Sequence, residues 1–220
     1  GGGVALVRYV NTVAHTSGDG STNGTGNGGT NSFVSLSAAE AALRQTLTDV
    51  ACDLVDEQGA NTIALDILCS GSAADTTAVF IDNAAWVTDA THRLRIRLNG
   101  VGSGARWDST KYRLVASAGF SVGTLSIAKA INITLQDIQV ENSDNLDAAP
   151  SALRLYDFAW DVRVVGGFYR QTGTTGGWDN VFGIYVASTG AFSLYMLNCT
   201  VFSADVRSIQ FSTNSSTPTQ

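Results

Sequence analysis

Acidic side chains are the first candidates for chemistry in this chain. Asp137, Glu141, Asp144, Asp147, Asp157, Asp161 and Asp179 lie dispersed through its second half. Cleaving a glycosidic bond takes two carboxylates held roughly 5 to 10 Å apart, one to protonate the leaving oxygen and one to attack or to activate water. A chain that folds back on itself can bring Asp157 or Asp161 near Asp179 or Glu141, but the spacing alone does not fix such a pair. Asp157 and Asp161 fall in a strand-and-turn region with no cluster of Arg or Lys facing them, and they read as a solvated turn. The histidines, His15 and His92, stand in the capping region and before the second repeat, and they read as surface or locally bonded groups. Cys52, Cys69 and Cys199 are odd in number and lack metal-ligand spacing, so they read as buried free thiols. The Gly18-Asp19-Gly20 turn and the run from Gly24 to Gly29 lack the Lys-Ser/Thr ending of a phosphate loop. No catalytic constellation, cofactor or metal site is expected.

Aromatic residues offer a binding surface instead. Trp107-Asp108 and Trp178-Asp179 sit in Gly-containing loops, with Tyr112 and Tyr169 near them in sequence. Two uses are open to these four: stacking on a sugar ring or a partner protein, or covering the edges of a core. Asn-x-Ser/Thr triplets occur at Asn23, Asn132, Asn198 and Asn214, and their use as glycan acceptors depends on the host.

Charge narrows the partners. A formal net charge of −6 argues against nucleic acid or an anionic membrane. No stretch approaches the roughly 18 apolar residues of a membrane span. The opening Gly1-Gly2-Gly3-Val4-Ala5-Leu6-Val7 lacks a basic start and reads as a chain without a signal peptide. Charged residues make up only 15% of the chain, while Gly numbers 23 and Pro 2, the balance of a β-rich, turn-rich protein.

The elements that would position these residues fall into an N-terminal region, 1–60, and a continuous body, 61–220. The first holds a short apolar strand from Val4 to Val10, a Gly/Asn/Thr/Ser loop from Thr16 to Asn31, and a helix over 37–55. That helix is marked by a Ser37-Ala-Ala-Glu40 capping box, an apolar face through Leu43, Leu47, Val50 and Leu54, and a stop at Gly59. The body reads as short strands that repeat. An apolar-x-apolar core recurs at Ile63, Leu94, Leu125, Leu153, Ile184 and Ile209, at spacings of 31, 31, 28, 31 and 25 residues. A second pattern aligns Ile133–Val140, Val162–Tyr169 and Leu194–Val201 without gaps. Each copy breaks its alternation at an elbow, held by Asp137, Gly166 and Asn198, residue types that tolerate a left-handed backbone.

The fold expected is therefore all-β: a right-handed parallel β-helix of about six rungs behind an N-terminal strand, loop and capping helix. The rival, a β-sandwich of antiparallel strands, would call for hairpin turns, and the connections lack a regular two-residue turn pattern.

The opening also carries a resemblance. Tyr9-Val10-Asn11, Ser17-Gly18-Asp19-Gly20-Ser21 and Ser32-Phe33-Val34-Ser35-Leu36, leading into an Ala-rich helix, resemble the start of pectin-lyase-like β-helix proteins. It departs at Ser32, where the family often has Pro before the Phe. The resemblance implies the fold and an extracellular or virion setting, but no activity, since this fold hosts enzymes and inert shafts alike. Pectate lyases hold calcium with clustered Asp residues and use a basic residue as base, whereas the carboxylates here are scattered. Polygalacturonases use an adjacent Asp pair and a His, and this chain has no Asp-Asp dipeptide.

The function expected is structural or adhesive. The chain reads as a virion component such as a capsid decoration, fibre or tailspike part, or as a surface protein. It would work by rigidity and self-association, as a homo-oligomer, a trimer being common for such shafts. A solenoid leaves an open edge at its last rung, and another chain or a continuation of this one would cover it. The alternatives are a polysaccharide lyase or glycoside hydrolase, and a non-catalytic glycan-binding adhesin.

Overall fold

A computed structural model describes residues 6–13, 16–26, 28–46, 52–54, 64–82, 86–102, 106–117, 123–128, 131–143, 151–157, 161–173, 180–186, 193–203 and 207–213. In chain order, β1 (Leu6–Asn11) precedes α1 (Leu36–Thr46) and the short β2 (Cys52–Asp53). Three strands follow, β3 (Ala64–Ser70), β4 (Ala74–Asp75) and β5 (Val79–Asp82), then the two-residue β6 (Trp86–Val87). The same triplet then recurs: β7 (Arg93–Leu98), β8 (Arg113–Ala116), β9 (Leu125–Ala128); β10 (Asn132–Gln136), β11 (Gln139–Asn142), β12 (Ser151–Asp157). It continues as β13 (Asp161–Val165), β14 (Phe168–Gln171), β15 (Asn180–Val186); β16 (Ser193–Leu197), β17 (Thr200–Ser203), β18 (Arg207–Thr213).

Among the described residues the protein is all-β apart from α1, and its sheets are parallel. The first sheet runs β1-β3-β7-β10-β13-β16, the second β4-β8-β11-β14-β17, the third β5-β9-β12-β15-β18, with β2-β6 a separate pair. From β3 onward each triplet gives one strand to each of the first three sheets in the same order. Parallel neighbours need a crossover between them, and here the crossover is the passage through the other two sheets. The expected N-terminal strand, Val4 to Val10, is described from Leu6 as β1 (Leu6–Asn11), which pairs with β3 at the end of the first sheet; Val4 and Ala5 lie outside the described residues.

Strict alternation makes these strands. In β7, Arg-Leu-Arg-Ile-Arg-Leu, the aliphatic side chains Leu94, Ile96 and Leu98 are buried on one face and the arginines stand on the other. Register then stacks like on like: Leu65 pairs with Leu94, Leu94 with Ile133 and Ile133 with Val162, all fully buried. Leu125, Leu153 and Phe182 form an equivalent row in the third sheet.

The second repeat family lies as aligned from sequence, Ile133 on Val162 on Leu194. The apolar-x-apolar family does not form one row. Leu65 and Leu94 are on the first sheet, while Leu125, Leu153, Ile184 and Ile209 are on the third. Ile184 also pairs with Leu155 rather than Leu153, two residues out of the assumed phase. The spacing of 31 between Leu94 and Leu125 is coincidental, because alternating triplets look alike on every face. Ile63 lies outside the described residues.

Helix α1 starts earlier than the capping box places it. Ser35, not Ser37, is the N-cap: its Oγ accepts from the Ala38 N–H, and the Leu36 N–H donates to Asp75 Oδ2. Glu40 is buried and accepts from Trp86 Nε1 at 3.1 Å, so it does not reach back to the cap. Leu36, Ala39, Glu40 and Leu43 make the buried stripe at helical spacing. The expected extension of the helix to 55 is overturned: Cys52–Asp53 is strand β2, paired with β6, and Leu54 follows it outside the helix, while residues 47–51 and Gly59 lie outside the described residues. Among those described, no helix is long and apolar enough to cross a membrane.

Candidate functional site

Three short sequence runs place the elbow residues at equivalent points between the first and second sheets. Asp137 and Asn198 both have φ 54°, and Gly166 has φ 66°. The stack is tight: the Asp137 N–H donates to the Val165 carbonyl, and the Gly166 N–H to that of Leu197. A Cβ on Gly166 would stand 2.1 Å from Asp137 Oδ1, so both the backbone angle and the space call for Gly there. The elbow is a structural feature that sets where the second sheet begins.

On the outer face of the second sheet, one turn beyond the elbow, a polar and aromatic clasp holds a loop. Glu141 is nearly buried, and its Oε2 accepts from Nε and Nη2 of Arg170 at 2.9 and 2.6 Å. Its Oε1 accepts from the Thr172 hydroxyl. The Arg170 guanidinium lies 3.6 Å from the centroid of the Trp107 ring, and Trp107 meets Phe168 edge to face. Beneath them the fully enclosed Gln139 side chain donates to the carbonyls of Asp108 and Tyr112 and accepts from the Asp108 N–H. Trp107 is half-buried, with Phe202 exposed on the strand paired to Arg170.

The outer face of the first sheet is arginine-rich. Asp66, itself buried, pairs with both Arg95 and Arg97, and Asp161 with Arg93 at 2.8 Å and Arg163 at 3.4 Å. Arg93 also donates to the carbonyls of Ile133 and Asp161, which ties three successive strands together. Asp161 stands in β13 and is faced by Arg93 and Arg163, which corrects its reading as a solvated turn residue with no Arg or Lys opposite it; the alternate arginines of β7 are the sequence signal for this face.

Three of the candidate carboxylates are described, and these three serve separate structural roles. Glu141 and Asp161 serve ion pairs on different sheets, and Asp137 is at the elbow. The Asp157 side chain, Asp144, Asp147 and Asp179 lie outside the described residues, as do His15 and Trp178. His92 is bonded locally, its Nδ1 2.9 Å from Asp89 Oδ2. Burial raises the Asp89 carboxyl, but hydrogen bonds from the backbone and ring of His92 and from Thr91 outweigh it and hold the acid well below the usual range.

Two of the expected surface aromatics are corrected. Tyr112 and Tyr169 are both fully buried and present no ring to a glycan or a partner. Tyr169 points inward because it pairs with Val140, and Tyr112 because its hydroxyl donates to the buried Asp75 at 2.9 Å. Burial pushes both phenols well above their ordinary value. Cys69 is a buried free thiol, raised by the same desolvation, and Cys199 is free and half-buried. The Cys52 side chain lies outside the described residues. No group of three or more His, Cys, Asp or Glu gathers as a metal site among the described residues.

Fold and site together define an all-β chain of parallel sheets whose outer polar groups are drawn into strand-to-strand pairs. No family model, curated protein or solved structure matches it.

Proposed function

We propose that the three parallel sheets are the faces of a right-handed parallel β-helix of the pectin-lyase-like kind, and that the chain is a structural or adhesive component acting by rigid assembly. The setting that suits such a shaft is a virion, as capsid decoration, fibre or tailspike part, or a cell surface. One observation carries the reading: consecutive triplets enter the sheets in an unchanging order, with Leu65, Leu94, Ile133 and Val162 stacked in one buried row. Right-handedness follows from the near-universal hand of parallel crossovers. Ion pairs that link neighbouring strands, such as Glu141 with Arg170 across 29 positions, favour stiffness over chemistry.

Electron microscopy of native particles, with the protein immunolabelled, tests this. Label on a virion, filament or cell surface is expected. A free soluble protein that cleaves members of a polysaccharide panel would overturn it.

A second reading, a glycan-binding adhesin, is favoured by the half-buried Trp107 ring held against Arg170 with Phe202 exposed beside them. An indole fixed in this way is a platform for a sugar face. Glycan-array binding lost in Trp107→Ala, with no hydrolysis of the bound glycans, is the outcome that this reading expects.

A further inference from the structure

Asn is followed by Gly at Asn23-Gly24, Asn27-Gly28 and Asn99-Gly100. Such pairs are chemically labile when unrestrained, because Gly leaves the backbone nitrogen after Asn open to attack on the Asn side chain. Asn27 lies outside the described residues, and the other two pairs are held very differently. Asn23 Oδ1 accepts from the Ser70 hydroxyl at 2.9 Å. The Gly24 carbonyl accepts from the Ser32 N–H at 3.2 Å and from its hydroxyl at 2.6 Å. Gly24 is also walled in, since a Cβ on it would stand 2.2 Å from Asn31 Oδ1.

Asn99-Gly100 stands at the corner that follows β7 and has none of these restraints. The Asn99 N–H donates to the Cys69 carbonyl at 2.8 Å, which anchors the residue at the strand's end. Among the described residues, the Asn99 side chain and the Gly100 N–H have no hydrogen-bond partner. Both residues are exposed, as is Val101 after them, and a Cβ on Gly100 would meet nothing within 4 Å. Gly100 has φ 112°, an angle that only Gly adopts freely, so the turn itself requires the residue that makes the pair labile. Asn99 and Lys111 line one cavity of about 220 Å³. The Lys111 ammonium donates to the carbonyls of Val101 at 2.6 Å and Gly102 at 3.2 Å, next along the same loop.

We propose that Asn99 is a site of self-modification, where the chain converts its own Asn99-Gly100 pair to aspartate and isoaspartate through a cyclic imide. The Gly100 amide nitrogen yields its proton to solvent base and attacks Asn99 Cγ. The N–Cγ bond forms as the Cγ–Nδ2 bond breaks, and Nδ2 leaves as ammonia, taking up that proton. Water then opens the ring at either carbonyl. Cleavage of the N–Cγ bond gives Asp on a normal backbone, and cleavage at the main-chain carbonyl carbon gives isoaspartate, with the chain running through Cβ and Cγ. Water is the sole co-reactant, and the attack is intramolecular, so the freedom of the two groups to meet sets the rate. Either product adds a negative charge on the cavity that Lys111 lines, where the ammonium offsets it. Isoaspartate also lengthens the backbone at the corner between the first and second sheets.

Incubating the folded whole chain in warm, mildly alkaline buffer, with tryptic peptide mapping at intervals, tests this. Trypsin cuts after Arg97 and Arg106, and the peptide between them holds Asn99 as its sole Asn. Mass spectrometry with fragmentation follows this peptide and the one that holds Asn23, and enzymatic methyl labelling detects isoaspartate in each. Asn99 should convert at least about tenfold faster than Asn23, whose hydrogen bonds must break before its ring can close. In urea the folded restraints vanish, and the two rates should come together. Asn99→Gln, with a side chain one methylene longer, should leave its peptide unchanged over the same time. An Asn99 that stays intact in the folded chain while the denatured chain converts overturns the proposal. So do equal rates at Asn23 and Asn99 in the folded chain, or an Asn99→Gln peptide that is modified as fast as the wild type's.

Discussion

Asp137, Gly166 and Asn198 occupy one structural position with three different side chains, which makes the cost of a left-handed backbone measurable residue by residue. Gly166→Ala adds a Cβ at φ 66° and drives it to 2.1 Å from Asp137 Oδ1. The left-handed backbone alone costs about 1 to 2 kcal/mol, and the clash adds to it. Asn198 has φ 54° and already carries a side chain there, so Asn198→Gly should change stability by less than about 0.5 kcal/mol. Urea unfolding of the two variants checks this, and comparable losses would show that the backbone angle is not what the position selects. The elbow could be read from sequence because a break in alternation coincided with Asp, Gly and Asn in three aligned copies. The burial of Tyr169 was available from the same alignment, since Val140 and Val201 fill its row. Tyr112 gave no such sign: its burial depends on Asp75, 37 positions away.

Helix α1 is held by two carboxylates that burial makes uncomfortable as anions. Asp75 sits nearly buried beneath the helix start, and desolvation raises its pKa against hydrogen bonds from Leu36, Tyr112 and Thr77. Desolvation likewise raises Glu40, against the Trp86 hydrogen bond and the Arg44 charge. A carboxyl whose folded pKa exceeds its unfolded value contributes stability that is present in full below the unfolded value and is lost as pH rises through the folded one. The melting temperature should therefore climb as pH falls through the raised values of these two groups toward the ordinary carboxylate range, and Asp75→Asn combined with Glu40→Gln should flatten that slope. A slope unchanged in the double variant would assign the effect elsewhere. At this scale sequence was a partial guide. It found the helix and Leu43 on its buried side, but it carried the helix on to Leu54, past strand β2, and the capping box pointed to Ser37 and Glu40, because a local pattern cannot see that Trp86 claims the Glu40 carboxylate. It found strands that repeat, but merged two sheets into one family, because apolar-x-apolar triplets carry no mark of the face they belong to.

At the scale of the whole molecule, the β-helix proposed above would make stability a sum of nearest-neighbour contacts, so that the position of a residue along the stack decides what its removal costs. Leu153 lies between Leu125 and Phe182 and is fully buried, and Leu153→Ala should cost about 3 kcal/mol at any protein concentration. Among the described strands Ile209 has a neighbour on one side, Phe182, and it is 42% exposed. Within a single chain, Ile209→Ala should cost about half as much or less, because fewer contacts vanish and less surface returns to water. Urea unfolding of the two variants beside the wild type separates the positions. A loss at Ile209 as large as the loss at Leu153 would mean that the stack is as tightly held at its last described strands as in its middle.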